Sequence, residues 1–135
     1  MGRRALVLFA HGARSASWAE PFERLRDMTA ARAPDLDVSL AFLELMTPRL
    51  QDQVASLAAQ GCDDVTVVPV FLGQGGHVLR DLPLILDEMR QAHPGLKIHA
   101  VGAVGEDPTV LQAMTDYCVK SVSDEIGRAS CRERV

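Results

Sequence analysis

The stretch Val65-Thr-Val-Val-Pro-Val-Phe-Leu-Gly-Gln-Gly-Gly-His77-Val-Leu-Arg-Asp-Leu-Pro83 sets the reading of the whole chain. Between positions 65 and 72 only Thr66 and Pro69 are not plainly apolar, which is how a strand covered on both faces of a parallel sheet reads. The run enters Gly73-Gln74-Gly75-Gly76, where glycines admit positive φ and let a ligand approach the backbone, and then reaches His77. In open α/β sheets ligands sit beyond the carboxyl ends of the strands, so an imidazole delivered there is a site candidate. The alternative is a flexible turn bearing an ordinary surface histidine. The glycines make no phosphate fingerprint, because GxGxxG needs glycine where Val78 stands and no Gly-Lys-Ser/Thr follows.

Toward the N-terminus the same layout recurs. Residues 5–10, Ala-Leu-Val-Leu-Phe-Ala, form an apolar run of strand length that ends in His11-Gly12-Ala13-Arg14-Ser15. Ser15 or Ser17 can cap a helix whose apolar positions Trp18, Phe22, Leu25 and Met28 make the stripe of a helix packed on a sheet. Ala33-Pro34-Asp35 closes it. Residues 38–43 read as a second strand, with Glu44 just past it and Thr47-Pro48 as N-cap and N1 of a helix that turns Leu50, Val54 and Leu57 inward and stops at Gly61.

Beyond the opening stretch, Leu79, Leu82, Leu86 and Met89 mark a third helix, with Asp81 as a cap and Pro83 confined to its first turn. Residues 97–101 form a fourth strand, and Asp107-Pro108 starts a helix carrying Leu111, Met114 and Cys118 on one face. Four strands alternating with four helices imply right-handed crossovers and an open, mainly parallel α/β sheet with helices on both faces, flavodoxin-like in its three layers. The last residues, 127–135, have no periodicity and resemble translated vector sequence. One domain is therefore expected over 1–126, with a non-native, poorly ordered tail at 127–135 in which Cys131 carries no meaning.

Composition narrows the function classes. With 135 residues, 47% hydrophobic and 24% charged, the chain is sized for one domain with one core. No apolar run approaches the ~18 residues of a membrane span, and the N-terminal run is too short and wrongly flanked for a signal peptide, so no membrane partner and a cytoplasmic location are expected. Cys62, Cys118 and Cys131 lie scattered without a CxxC pair, which argues against a disulfide framework or a thiolate zinc site. A net charge of -4 and 4% aromatic residues disfavour nucleic acid as a partner.

His11, Glu44 and His77 follow strands one, two and three at equal intervals of 33 residues (11 to 44, 44 to 77). Parallel strands place their carboxyl ends on one edge, so two imidazoles and a carboxylate can converge there on a divalent transition metal. Taken singly, His11-Gly12 is a turn, Glu44 a cap or a solvated acid, and His77 a surface residue. His93, in a turn, and His99, inside a strand, read as structural.

The segments Phe9-Ala-His11-Gly12-Ala-Arg14, Ala41-Phe42-Leu43-Glu44-Leu45 with Pro48, and Val67-Val68-Pro69-Val70-Phe71-Leu72-Gly73 with Gly76-His77-Val78 and Asp81-Leu82-Pro83 resemble the short CbiX-type sirohydrochlorin chelatases. The resemblance spans about residues 5–122. It implies a class II chelatase, a lyase that inserts Co²⁺, or in sister enzymes Fe²⁺ or Ni²⁺, into sirohydrochlorin without ATP, with no cofactor beyond that substrate metal. It also implies His11 and His77 as metal-binding histidines, Glu44 as the acidic partner, and a homodimer with the active site between subunits.

Chemistry is consistent with that implication. Imidazoles bind a borderline metal without the tenacity of thiolates, so the ion can be released into a macrocycle. Metallation frees two pyrrole protons, which His77 first, His11 second, or Glu44 can accept. Arg14, Arg80 and the backbone N–H groups of Gly73, Gly75 and Gly76 are the donors available to a polycarboxylate tetrapyrrole, although both arginines also read as solvated side chains. A histidine phosphatase would want arginine where Ala10 stands, and a serine hydrolase would want GxSxG, which is absent. A non-catalytic carrier of metal or tetrapyrrole stays open beside the enzyme, as does iron beside cobalt, and with it the sirohaem rather than the cobalamin pathway.

Overall fold

The computed structural model describes residues 2–73 and 76–129, the side chains of 76–79 and 124–129 excepted. Four strands, β1 (Arg3–Ala10), β2 (Asp37–Phe42), β3 (Cys62–Pro69) and β4 (Lys97–Ala100), alternate with four helices, α1 (Glu20–Arg32), α2 (Leu50–Ala59), α3 (Gly76–Ala92) and α4 (Pro108–Ala129). The strands form one sheet in the order β2-β1-β3-β4, with every neighbour pair parallel. Because the chain steps from β1 to one side for β2 and to the other for β3, the carboxyl ends of β1 and β3 flank the switch point where such sheets bind ligands.

The sheet has a core on each face. On one face Val7, Phe9, Val65 and Val67 pack with Leu50, Val54 and Leu57 of α2 and Leu82, Leu86 and Met89 of α3. On the other, Leu8, Ala10, Leu40 and Phe42 form a smaller cluster with Phe22 of α1 and the half-buried Val68 and Val70. The expected layers are therefore present, but the second is partial. The opening strand is an inner strand as expected, yet its burial alternates rather than being complete on both faces.

Several local expectations are corrected. The stripe Trp18, Phe22, Leu25, Met28 is not buried: Trp18 lies in a 3-10 turn (Ala16–Ala19), Met28 is 61% exposed, and only Phe22 reaches the sheet cluster, because α1 packs chiefly on the edge strand β2. Thr47-Pro48 does not open α2. The Pro48 carbonyl instead accepts the Phe42 N–H at 2.8 Å, extending the end of β2, and Arg49 is the cap residue. Helix α3 starts at Gly76, so Asp81 and Pro83 lie inside it rather than at its first turn. Asp107 behaves as read, its Oδ2 accepting the Thr109 and Val110 N–H groups at 3.0 and 3.2 Å. Helix α4 continues through Gly127–Ala129 of the tail set aside from the sequence, while 130–135 lie outside the described residues.

Candidate metal centre

The site is built where β1 and β2 end together. The pairing of the two strands continues one step past β2 through the Leu43 N–H, which donates to the Ala10 carbonyl at 2.8 Å, so His11 and Glu44 emerge side by side. His11 Nδ1 stands 3.4 Å from Glu44 Oε1, and Glu44 Oε2 accepts the Gly12 N–H at 2.7 Å. Both side chains keep about two fifths of their surface open, 44% and 41%, which leaves room for an incoming ion.

Neighbours fix this pair. Gly12 has no room for a side chain, because a Cβ there would overlap the Glu44 carbonyl; the close approach of the two loops requires glycine. The same Glu44 carbonyl accepts the Met46 N–H at 2.8 Å across Leu45, whose φ of 67° is a costly conformation for a residue with a Cβ. The buried ring of Phe71, just past β3, lies against the imidazole with centroids 4.6 Å apart, and the Trp18 indole donates to the His11 carbonyl at 2.8 Å. Burial by itself would raise the Glu44 carboxyl, but the Gly12 N–H and the adjacent His11 outweigh it and hold the group below the ordinary carboxylate range.

Of the residues singled out in the sequence, the structure brings His11 and Glu44 together. His77 belongs to the first turn of α3, at the carboxyl end of β3; its side chain, and Gly75 altogether, lie outside what is described. Among the described side chains no group of three His, Cys, Asp or Glu stands close enough to hold a metal. Gly73 follows β3 in the open, where a Cβ would meet nothing, and it does not use positive φ, so the fold makes no demand for glycine there. Arg14 lines a cavity of about 440 Å³ with Met46, Thr47 and Phe42 beside the site, whereas Arg80 is exposed on α3. His99 bonds Thr66 Oγ1 at 3.2 Å on the sheet face, and His93 follows α3 with its N–H on the Met89 carbonyl; neither approaches the site.

Sequence reasoning missed four contributors: the Gly12 amide as a donor, Leu45 as the strained link, Phe71 as the wall of His11, and Trp18 as a brace. Trp18 and Phe71 read as members of apolar runs, and periodicity carries no signal for a ring that leaves its run to touch a histidine.

The CbiX family profile matches residues 5–120. A sirohydrochlorin cobaltochelatase of Methanopyrus kandleri is 35% identical over 82 residues, 61% of this chain; the chain spans 57% of the length of that relative. Among solved structures, a CbiX protein of Marinobacter aquaeolei VT8, assigned to cobalamin biosynthesis, superposes with a TM-score of 0.79 at 30% identity, over 90% of this chain and 98% of that one. The sirohydrochlorin chelatase SirB of Bacillus subtilis subspecies spizizenii, in complex with cobalt, superposes with a TM-score of 0.71 over 84% of this chain and 50% of its own, and at 23% identity that likeness is one of fold. With the profile covering most of the chain, and a CbiX protein at 30% identity superposing over 90% of it, the protein belongs to the CbiX family.

Proposed function

We propose that this protein is a sirohydrochlorin chelatase, a lyase that inserts a divalent metal, Co²⁺ in first place, into the tetrapyrrole without ATP. The observation that carries the reading is the His11–Glu44 pair, about two fifths open to solvent and held by the Gly12 N–H and the Phe71 ring, in a chain of the CbiX family. The pair offers one imidazole and one carboxylate, a hard and borderline donor set that loads a first-row ion and releases it. His77 is the third donor of this proposal, and the same groups accept the pyrrole protons. Arg14, beside the 440 Å³ cavity, meets a substrate carboxylate, with Arg80 and the amides of Gly73, Gly75 and Gly76 as further donors.

A flat macrocycle over an open edge needs a second wall. We assign it to a second copy in a two-fold homodimer, in keeping with the alignment of this chain to half of the SirB chain. The metal ion is substrate, and its product belongs to cobalamin or sirohaem synthesis, with the cytoplasm as the compartment. No helix among the described residues is long and apolar enough to cross a membrane.

Purified protein given Co²⁺ and sirohydrochlorin should produce the metallated absorption spectrum without ATP. His11→Ala and His77→Ala should each abolish it while the far-UV circular dichroism stays unchanged. Stoichiometric binding of ion and ring with no turnover would make the protein a carrier instead.

A further inference from the structure

Among the described residues, helix α4 and one strip of the sheet are both left bare. On the α1 side of the sheet, α1 packs on β2 and less on β1, and no described helix packs substantially on β3 or β4. The strip there runs from the half-buried Leu6, Val68 and Val70 to His99 and then Val101, which is 44% exposed. Among the described residues, helix α4 packs substantially only against the 3-10 turn Val104–Glu106. Yet it is amphipathic: Leu111, Met114, Cys118 and Val122 repeat at three and four residues, flanked by Tyr117, and all are exposed, Tyr117 by 72%.

The direction of α4 is fixed by its root. The Gly105 N–H donates to the Phe71 carbonyl at 2.9 Å, a Cβ at Gly105 would overlap the Leu72 carbonyl, and Asp107 caps the first turn. From that root α4 leaves without packing substantially on its own strip. A parallel sheet ordinarily has both faces covered, and one molecule here shows a bare strip and a bare apolar helix at once.

We propose that α4 of one copy lies over β3 and β4 of a second copy and receives that copy's α4 in return. The second copy is the occupant because it is the partner that offers both complementary surfaces. At the areas implied by transfer energies the stripe gives roughly 500 Å² per helix, so two helices on two strips remove on the order of 2,000 Å² from water, enough for a stable dimer. The exchange deepens the homodimer of the proposed function and rests on it. The root of α4 is fastened to Phe71, the ring that walls His11, so exchange also sets the second copy against the edge that carries the site.

Two measurements test this on the full chain. Met114→Asp with Tyr117→Asp should raise the dimer dissociation constant at least ~100-fold in sedimentation, since each buried carboxylate is costly, while the far-UV circular dichroism of the subunit is kept. In a Cys131→Ser background, a short bismaleimide should join Val101→Cys on the strip to Cys118 on α4 at dimer mass in a denaturing gel. A wild type that sediments as a monomer overturns both the homodimer and the exchange. A double variant that remains dimeric, a cross-link at monomer mass, or no cross-link overturns the exchange alone and leaves the homodimer and the chelatase reading standing.

Discussion

The two faces of the sheet are made from the same strands and face different fates. Toward α2 and α3 the odd-numbered residues of β1 and β3, Val7, Phe9, Val65 and Val67, are sealed; toward α1, Leu8 and Ala10 of β1 are buried as well, but Val68 of β3, Val70 just past it and Val101 just past β4 are half-buried or exposed. Alternation along a strand dictates that both faces are apolar, but not that both are covered within one chain. The sealed face is where folding stability resides. On the other face, part of β3 and β4 is left open among the described residues.

Neighbouring residues of β3 break that contrast most sharply. Val67→Asp places an unpaired carboxylate at a position of 0% exposure between two layers and should cost about 4 kcal/mol or more, enough to unfold a marginal domain. One residue on, Val68→Asp should cost the isolated subunit only ~1–2 kcal/mol, because the carboxylate can turn to water on the open side. Chemical denaturation of both variants checks this. Equal losses at protein concentrations low enough to keep subunits apart would mean that the open face is sealed within one chain.

Between the faces lies the carboxyl edge, and there the constraint is backbone rather than burial. Gly12→Ala drives a Cβ into the Glu44 carbonyl and must push the two loops apart, at an expected ~2–3 kcal/mol. A metal titration should show affinity lost alongside, because the Gly12 N–H that orients Glu44 moves with the loop. A fully stable Gly12→Ala protein would show that the loops separate freely and that glycine serves only the turn.

How much of this was legible follows from which forces speak through sequence. The strands, their order of appearance and the cap at Asp107 were readable because apolar runs and capping residues act locally. His11 and Glu44 were readable as a pair because parallel strands deliver their ends to one edge, a fact of topology. The start of α3 at Gly76 was not, since three nearby glycines read as a turn while the helix carries on through Pro83. Nor was the exposure of Leu25, Met28 and the α4 stripe. Periodicity tells that a helix has an apolar face and is silent on whether the partner of that face lies in the same chain.

Glu44 offers a pH test of the edge. Its folded carboxyl lies below the ordinary value of about 4.5, so the Gly12 and His11 contacts stabilise the charged form; that contribution is complete above the unfolded value and is lost as pH falls through the lower folded one. Glu44→Gln keeps the shape and removes the charge. The gap in Tm between wild type and variant should hold from neutral pH to about 4.5 and close below it, and metal affinity at neutral pH should drop ~10-fold or more. A gap that persists undiminished in acid would assign it to packing.

Leu45 should give the smallest effect and the most pointed one. Its φ of 67° costs an L-residue about 1–2 kcal/mol, its side chain is 60% exposed and so contributes little burial, and glycine in its place would give back roughly 0.5–1 kcal/mol through the freer unfolded chain. Leu45→Gly should therefore leave the protein as stable as before or more so, by ~0.5 kcal/mol, which thermal unfolding resolves. The strain must be compensated by something, and the Met46 N–H on the Glu44 carbonyl, set against Gly12, is what holds it there. If that turn exists to aim Glu44 at His11, relaxing it should weaken metal binding even as stability rises, a split that a burial defect cannot produce. Unchanged affinity in the Leu45→Gly protein would show that the Gly12 bond alone aims the carboxylate, and a loss of stability would show that the exposed leucine is covered in the working assembly.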